Sequence, residues 1–223
     1  PDHVWHYINN PQWNFHSTDQ KNSPDRVMLM HKQVRQLFGN VPNEICEYVI
    51  ASQISQAEAK KFFIERVRAK TDTMGGIIWW NLLDGWPQMS DAVVDYYFTK
   101  KLAYNYIKRS SRPILAFVGE MASWGYPVLV ADGTDKKADV NVKITDIKTQ
   151  KVLFSGQCTV LPNHCAQVGF VPMMYSDKGM FLIEFAVNGD RFINTYLYGS
   201  PPFDLETYKA FMKSADEAEA NIG

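Results

Sequence analysis

An α+β, multidomain chain is what the sequence predicts: a mainly helical part built round one apolar strand, followed by an antiparallel β-sandwich. Three observations carry this. Apolar residues recur at helical spacing up to residue 111. One glycine-led run, Gly75-Gly76-Ile77-Ile78-Trp79-Trp80-Asn81-Leu82-Leu83, interrupts that spacing with the composition of a buried strand, and Asp84-Gly85-Trp86-Pro87 closes it as a turn. From Arg112 onward the apolar period drops to two and turn signals recur at short intervals.

Taken in order, residues 1–22 (His3, Trp5, His6, Tyr7, Trp13, Phe15 and His16 among them) are aromatic and polar without a period and read as a long loop. Ser23-Pro24-Asp25 supplies an N-cap and a first-turn proline, Val27, Met30, Val34, Leu37 and Phe38 form a stripe, and Gly39 ends this helix. Pro42-Asn43-Glu44 opens a longer helix whose expected apolar line is Ile45, Val49, Ile50, Ile54, Ala57, Phe63, Ile64 and Val67. The predicted strand 76–83 follows, then a loop over 84–97 and a helix over 99–110 with Leu102, Ala103, Tyr106 and Ile107 inward. Helix, helix, strand, helix is the order in which a (β/α)8 barrel finishes, and function in such barrels sits at the C-terminal ends of the strands.

Alternation then predicts strands at 114–118, 127–131, 140–146, 151–154, 165–171, 180–187 and 191–198. Asp132-Gly133, Thr149-Gln150, Pro162-Asn163, Asp177-Lys178-Gly179 and Asn188-Gly189-Asp190 separate them, the pattern of an immunoglobulin-like sandwich. Asp204 caps a short final helix, and the Ala/Glu-rich tail after Ser214 is expected to fray.

With 223 residues, 46% hydrophobic and 21% charged, the chain has ordinary globular usage and material for a sizeable core. A net charge of -1 argues against capture of nucleic acid or an anionic membrane, which need a clustered basic face. No apolar run approaches the roughly 20 residues that span a bilayer. The start at Pro1, neither an initiator Met nor a basic leader, gives the expectation that the chain is cut from something larger. Cys46, Cys158 and Cys165 lack CxxC spacing; Cys158 and Cys165 either pair across one strand turn or pack as small apolar side chains.

Trp80-Asn81-Leu82, Asp84, Trp86-Pro87, Asp95-Tyr96 and Lys101, in that order, resemble the last barrel strand and final helix of family 2 glycoside hydrolases, the β-mannosidase and β-galactosidase group, with the β-mannosidase branch nearest. Ser52-Gln53, Gln56, Glu65 and Arg68 upstream and Leu197 to Leu205 downstream extend the resemblance over nearly the whole chain. Leu83 departs from it, standing where the family usually has Asn.

The resemblance implies a barrel end over 1–111, an immunoglobulin-like sandwich over 112–200 and a helical tail over 201–223. It also implies a carbohydrate substrate, further domains of a parent enzyme as partners, no cofactor, and work outside the cytoplasm (periplasmic, secreted or lysosomal). Family members hydrolyse β-glycosidic bonds with retention through two Glu residues. One sits in a Ser-Glu-aromatic-Gly stretch and one in an Asn-Glu pair, both on earlier strands. Neither stands in position here, so no catalytic residue is assigned and the chain alone is expected to be inactive. Asn43-Glu44 opens a helix, where Asn caps amides and Glu meets the positive dipole end, whereas a catalytic Glu closes a strand.

Substrate binding is assigned to Trp80, Asn81, Asp84 and Trp86. An indole face stacks on the C–H face of a pyranose. Alternation sends one of Trp79 and Trp80 to packing, and Trp79 is given that part. Asp84 before Gly85 is equally a turn former. His3 and His6 lack a third ligand, so no metal is expected. Glu65 and Arg68 read as a pair on a helix face. Bared apolar helix faces would favour self-association. The alternative class is a non-catalytic carbohydrate-binding or scaffolding module, with Trp124 and Tyr126 as exposed aromatics.

Overall fold

The computed structural model describes residues 15–17, 25–122, 125–172 and 178–222. They fall into two compact units, one built from the chain up to Lys61 with Ile78–Lys108 and Pro201–Leu205, the other from Phe62–Ile77, Arg109–Ser200 and Glu206 onward.

In the first unit, α1 (Asp25–Phe38) buries Val34 and Phe38. Gly39 ends it at a φ of 82°, and its amide donates to the Arg35 carbonyl at 2.7 Å. Leu37 also accepts the Phe203 amide at 2.7 Å, which ties the 201–205 segment to this helix. α2 (Ile45–Arg68) buries Tyr48, Ala51, Ile54 and Ala57, with Ile64 further along in the second unit. Val49, Ile50 and Phe63, expected inward, are exposed. The apolar residues of this helix spread wider than one stripe, and only one line of them meets described neighbours. α3 (Leu102–Ser110) is capped from a distance, because Gln53 Oε1 accepts the Leu102 amide at 2.9 Å. Ala57, Val93, Ala103 and Tyr106 form the local core, with Trp79, Leu102 and Ile107 packed against it.

The expected buried strand over 76–83 is not a ladder. Gly76 to Trp79 has no regular structure and Trp80 lies in a bend, with no β partner among the described residues, and Ile77, Ile78 and Trp80 are exposed. A strand exists by hydrogen bonding to a neighbour, and an apolar run without one is no strand. Pairing begins at Asn81, whose carbonyl accepts the Val93 amide at 3.2 Å; Leu82 O accepts Val94 N at 2.9 Å, and Asp84 N donates to Val94 O at 3.1 Å.

The second unit holds seven strands: β1 (Ile114–Val118), β2 (Gly125–Asp132), β3 (Ala138–Asp146), β4 (Val152–Val160), β5 (Cys165–Pro172), β6 (Gly179–Val187) and β7 (Asp190–Tyr198). They form two antiparallel sheets, β1-β2-β5 and β4-β3-β6-β7. Relative to a constant-type immunoglobulin domain, the fourth strand has joined the second sheet. Alternation does the sorting: Val140, Val142 and Ile144 of β3 enter the core while Asn141 and Lys143 face out. Asn188 and Gly189, at φ 52° and 94°, make the two-residue hairpin that joins β6 to β7.

Three expectations are corrected here. Tyr126 is buried, edge-on to Phe181 and Tyr196 at 5.7 and 5.6 Å between ring centres, so it is no exposed platform; Trp124 lies outside the described residues. Glu65 and Arg68 are not confined to a pair on a helix face: the Glu65 charge acts on Arg68, but Glu65 is buried and both side chains bind the sandwich. Arg68 donates to the carbonyls of Arg112, Pro113 and Ala131 at 2.6, 2.9 and 3.0 Å, and Glu65 Oε1 accepts from Asn194 Nδ2 at 2.8 Å. The tail does not fray at Ser214: α4 (Leu205–Ala220) continues, with Ala215 buried and Arg109 bound to Asp216 and Glu219. Arg112 adds a 3.2 Å pair to Glu219. Arg109 and Arg112 together hold the last turns of this helix.

Candidate functional site

The loop from Trp80 to Lys101, in the first unit, carries the candidate site. The Trp80–Asn81 peptide is cis, and the Trp80 carbonyl accepts from Lys60 Nζ at 2.7 Å. The same ammonium lies 5.0 Å from the centre of the Trp79 ring. Burial lowers the pKa of Lys60, Asp91 opposes that and Lys101 adds to it. The two indoles separate as alternation requires: Trp79 packs on the Ala57–Tyr106 core, and Trp80 is 74% exposed. The Asn81 carboxamide turns inward, and no described donor reaches its buried Oδ1.

Asp84 is 2% exposed. Its Oδ1 accepts from Gln88 Nε2 at 3.0 Å and from Ser90 Oγ, and its Oδ2 accepts from Lys101 Nζ at 3.1 Å. Ser90 Oγ in turn accepts the Ala92 amide at 3.0 Å. A carboxylate with three donors in a dry position fixes the turn 84–92 rather than presenting itself to solvent. Trp86 is half-exposed and stacks on His16, with ring centres 5.5 Å apart and planes 24° from parallel. His16 Nδ1 lies 2.6 Å from the Pro87 carbonyl, and the Met89 amide donates to the His16 carbonyl at 2.7 Å. The aromatic loop expected before α1 therefore does reach Trp86 through Phe15 and His16; His3, His6, Trp5 and Trp13 lie outside the described residues.

Downstream, Asp95 organises a second turn. Its Oδ1 accepts the amides of Tyr97 and Thr99 at 2.9 and 2.8 Å, its amide donates to Thr99 O at 2.9 Å, and its carbonyl accepts the Phe98 amide at 3.0 Å. Ser90, Gln88 and Lys60 escaped sequence reasoning as parts of this constellation. Their partners lie four to 20 positions away with no periodic signal to link them.

Elsewhere the chemistry is sparse. Asn43 and Glu44 precede α2, where the Glu44 carbonyl accepts the Tyr48 amide at 2.9 Å, as in any helix start. No group of three or more His, Cys, Asp or Glu among the described residues is arranged to hold a metal ion. Cys46, Cys158 and Cys165 are free thiols, and burial pushes Cys165 up to about 11 against the opposing charge of Arg68. A cleft of about 340 Å³ on the outer face of the four-stranded sheet is lined by Lys143, Glu184 and Arg191, and Lys143 and Glu184 pair across it at 2.5 Å. No described helix is long and apolar enough to cross a membrane.

Among the described residues, seven strands in two antiparallel sheets and four helices define a β-sandwich protein with a helical unit. No family model matches the chain, and no curated protein matches it. Solved structures do. β-D-mannosidase from Dictyoglomus thermophilum superposes with a TM-score of 0.75 at 22% identity over 90% of this chain and 24% of its own. The exo-chitosanase CsxA from Amycolatopsis orientalis superposes at 0.70 and 17% identity over 94% of this chain and 28% of its own. At such identities the likeness is one of fold, and the chain spans about a quarter of the length of either neighbour.

Proposed function

We propose that this chain is the C-terminal portion of a retaining exo-β-glycosidase of glycoside hydrolase family 2, closest in kind to a β-mannosidase. Residues 1–111 would close its (β/α)8 barrel, 112–200 would form the sandwich that follows in the chain and 201–223 the helical tail. The observation that supports this most is the coincidence of two independent likenesses: the fold of a β-mannosidase and an exo-chitosanase over at least 90% of the chain, and the ordered Trp80 to Lys101 residues.

In this reading Trp80 stacks on the sugar ring at the cleavage point, with Asn81 and Trp86 beside it. Asp84, locked by Lys101, Ser90 and Gln88, holds the turn that presents Trp86. Lys60 anchors the Trp80 carbonyl. The nucleophile and the acid/base are Glu residues of barrel strands that precede this chain, so the partners are a carbohydrate and the rest of the enzyme. The sequence upstream of Pro1 in the gene tests this directly. A Ser-Glu-aromatic-Gly stretch and an earlier Asn-Glu strand end, with turnover of aryl β-mannosides or β-glucosaminides by the full gene product, are expected. Absence of both motifs would overturn the reading.

A further inference from the structure

The corner between α1 and α2 holds a cleft of about 520 Å³, and its polar lining is His31 and Arg35 of α1 with Asn40 and Asn43 of the connection. Each of these side chains can donate a hydrogen bond, and no carboxylate among the described residues lines the cleft. His31 and Arg35 stand four positions apart, one turn of α1, and so share a face. Arg35 pairs with no carboxylate among the described residues, which leaves its fork of donors unspent.

His31 is set from behind by Tyr48, which has no exposed surface. Tyr48 Oη and His31 Nδ1 are 2.9 Å apart, and the two rings lie 5.0 Å apart. Burial raises the Tyr48 pKa, so the phenol keeps its proton. With the phenol as donor to Nδ1, the imidazole carries its own N–H at Nε2. Carbonyls at the end of α1, which would repel an anion, are occupied: Arg35 O takes the Gly39 amide and Leu37 O the Phe203 amide, both at 2.7 Å. The first amides of α2, by contrast, have no acceptor within the helix and carry the positive end of its dipole.

Four donating side chains exceed what the two oxygens of a carboxylate take up, and they match the three terminal oxygens of a phosphate. The volume lies in the range of small-molecule sites, roughly 300–1,000 Å³, so room remains for a small organic body on that phosphate. We infer that the corner between α1 and α2 is a phosphate-binding site, taking inorganic phosphate or a small phosphomonoester, with Arg35 as its bidentate partner and His31, Asn40 and Asn43 around it. It goes beyond the glycosidase reading and shares no residue with the Trp80–Lys101 loop, so either can fail alone.

The test titrates the 223-residue chain by isothermal calorimetry with inorganic phosphate and with glycerol 3-phosphate, and with acetate and glycerol at the same ionic strength. Both phosphates should saturate one site, and acetate and glycerol should not. An ester that binds more tightly than the free ion assigns the site to a phosphomonoester; an ester that binds equally or less tightly assigns it to the ion. Arg35 and Asn40 are exposed, so Arg35→Gln and Asn40→Ala leave the urea midpoint level. Arg35→Gln should weaken phosphate by about tenfold or more, Arg35→Lys, which keeps the charge without the fork, by less, and Asn40→Ala by about threefold. Absence of saturable phosphate binding, acetate binding as tight as phosphate binding, or full affinity in Arg35→Gln overturns the inference.

Discussion

Lys101→Met is the most informative perturbation of the loop. The Asp84 side chain is wholly buried, and Lys101, 17% exposed, is its sole described cationic partner in a salt bridge. Removing one member of a buried pair costs about 3–5 kcal/mol, because the other charge stays behind in a dry site. Gln88 and Ser90 still donate to Oδ1, so the expected cost is at the lower end, about 3 kcal/mol. At a urea slope of about 2 kcal/mol/M this lowers the midpoint by about 1.5 M. Trp79, Trp80 and Trp86 all lie in the first unit, so in a Trp124→Phe background tryptophan emission reads that transition. Asp84→Asn leaves Lys101 within reach of water and costs less, about 1–2 kcal/mol. The double variant should cost at least about 1 kcal/mol less than the sum of the two, since the charge that each single change strands is gone. Additivity within about 0.5 kcal/mol would refute the claim that this ion pair holds the turn.

Under the glycosidase proposal, Trp80→Ala in the full gene product should lower kcat/KM by at least about tenfold, about 1.4 kcal/mol of transition-state binding, with the fold intact; unchanged kinetics would remove Trp80 from the site. Asn194→Ala deprives buried Glu65 Oε1 and the Ala116 carbonyl of a shared donor and the Thr195 amide of its acceptor, and should cost the second unit about 2–3 kcal/mol in chemical denaturation. The Glu219 carboxyl is pushed up by burial but held below its ordinary 4.5 by Arg109 and Arg112. A depressed folded pKa contributes stability above 4.5 that is lost as pH falls through the folded value, so Glu219→Gln should flatten the acid limb of the stability curve. At neutral pH one thiol, exposed Cys46, should react fast with an aromatic disulfide reagent, while Cys158 and Cys165, raised by burial, react slowly. Detection of one thiol in the denatured chain, mapped to Cys46, would instead establish the Cys158–Cys165 bridge.

Local rules carried the sequence reading as far as local rules reach. Gly39 at the end of α1, the period-two alternation of β3 and the Asn188-Gly189 hairpin are decided within a few residues by sterics and side-chain direction, so the sequence alone located the helices, the sandwich strands and most turns, although β4 runs on to Val160 beyond its expected end at 154. It also separated Trp79, which packs on the local core, from exposed Trp80. What it could not decide depends on partners far along the chain. Whether Gly76–Trp80 is a strand turns on a ladder neighbour, which no composition supplies. Whether the tail frays turns on Arg109 and Arg112, more than 100 positions before Glu219. Asp84 before a glycine looks like any turn former until Lys101, Ser90 and Gln88 close on it, and Phe98 looks like one more aromatic until its φ of 65° sets it apart. Backbone preference is written residue by residue. Burial, pairing and strain belong to the folded arrangement, and there the tertiary structure decided which of the legible residues lie buried and which stay exposed.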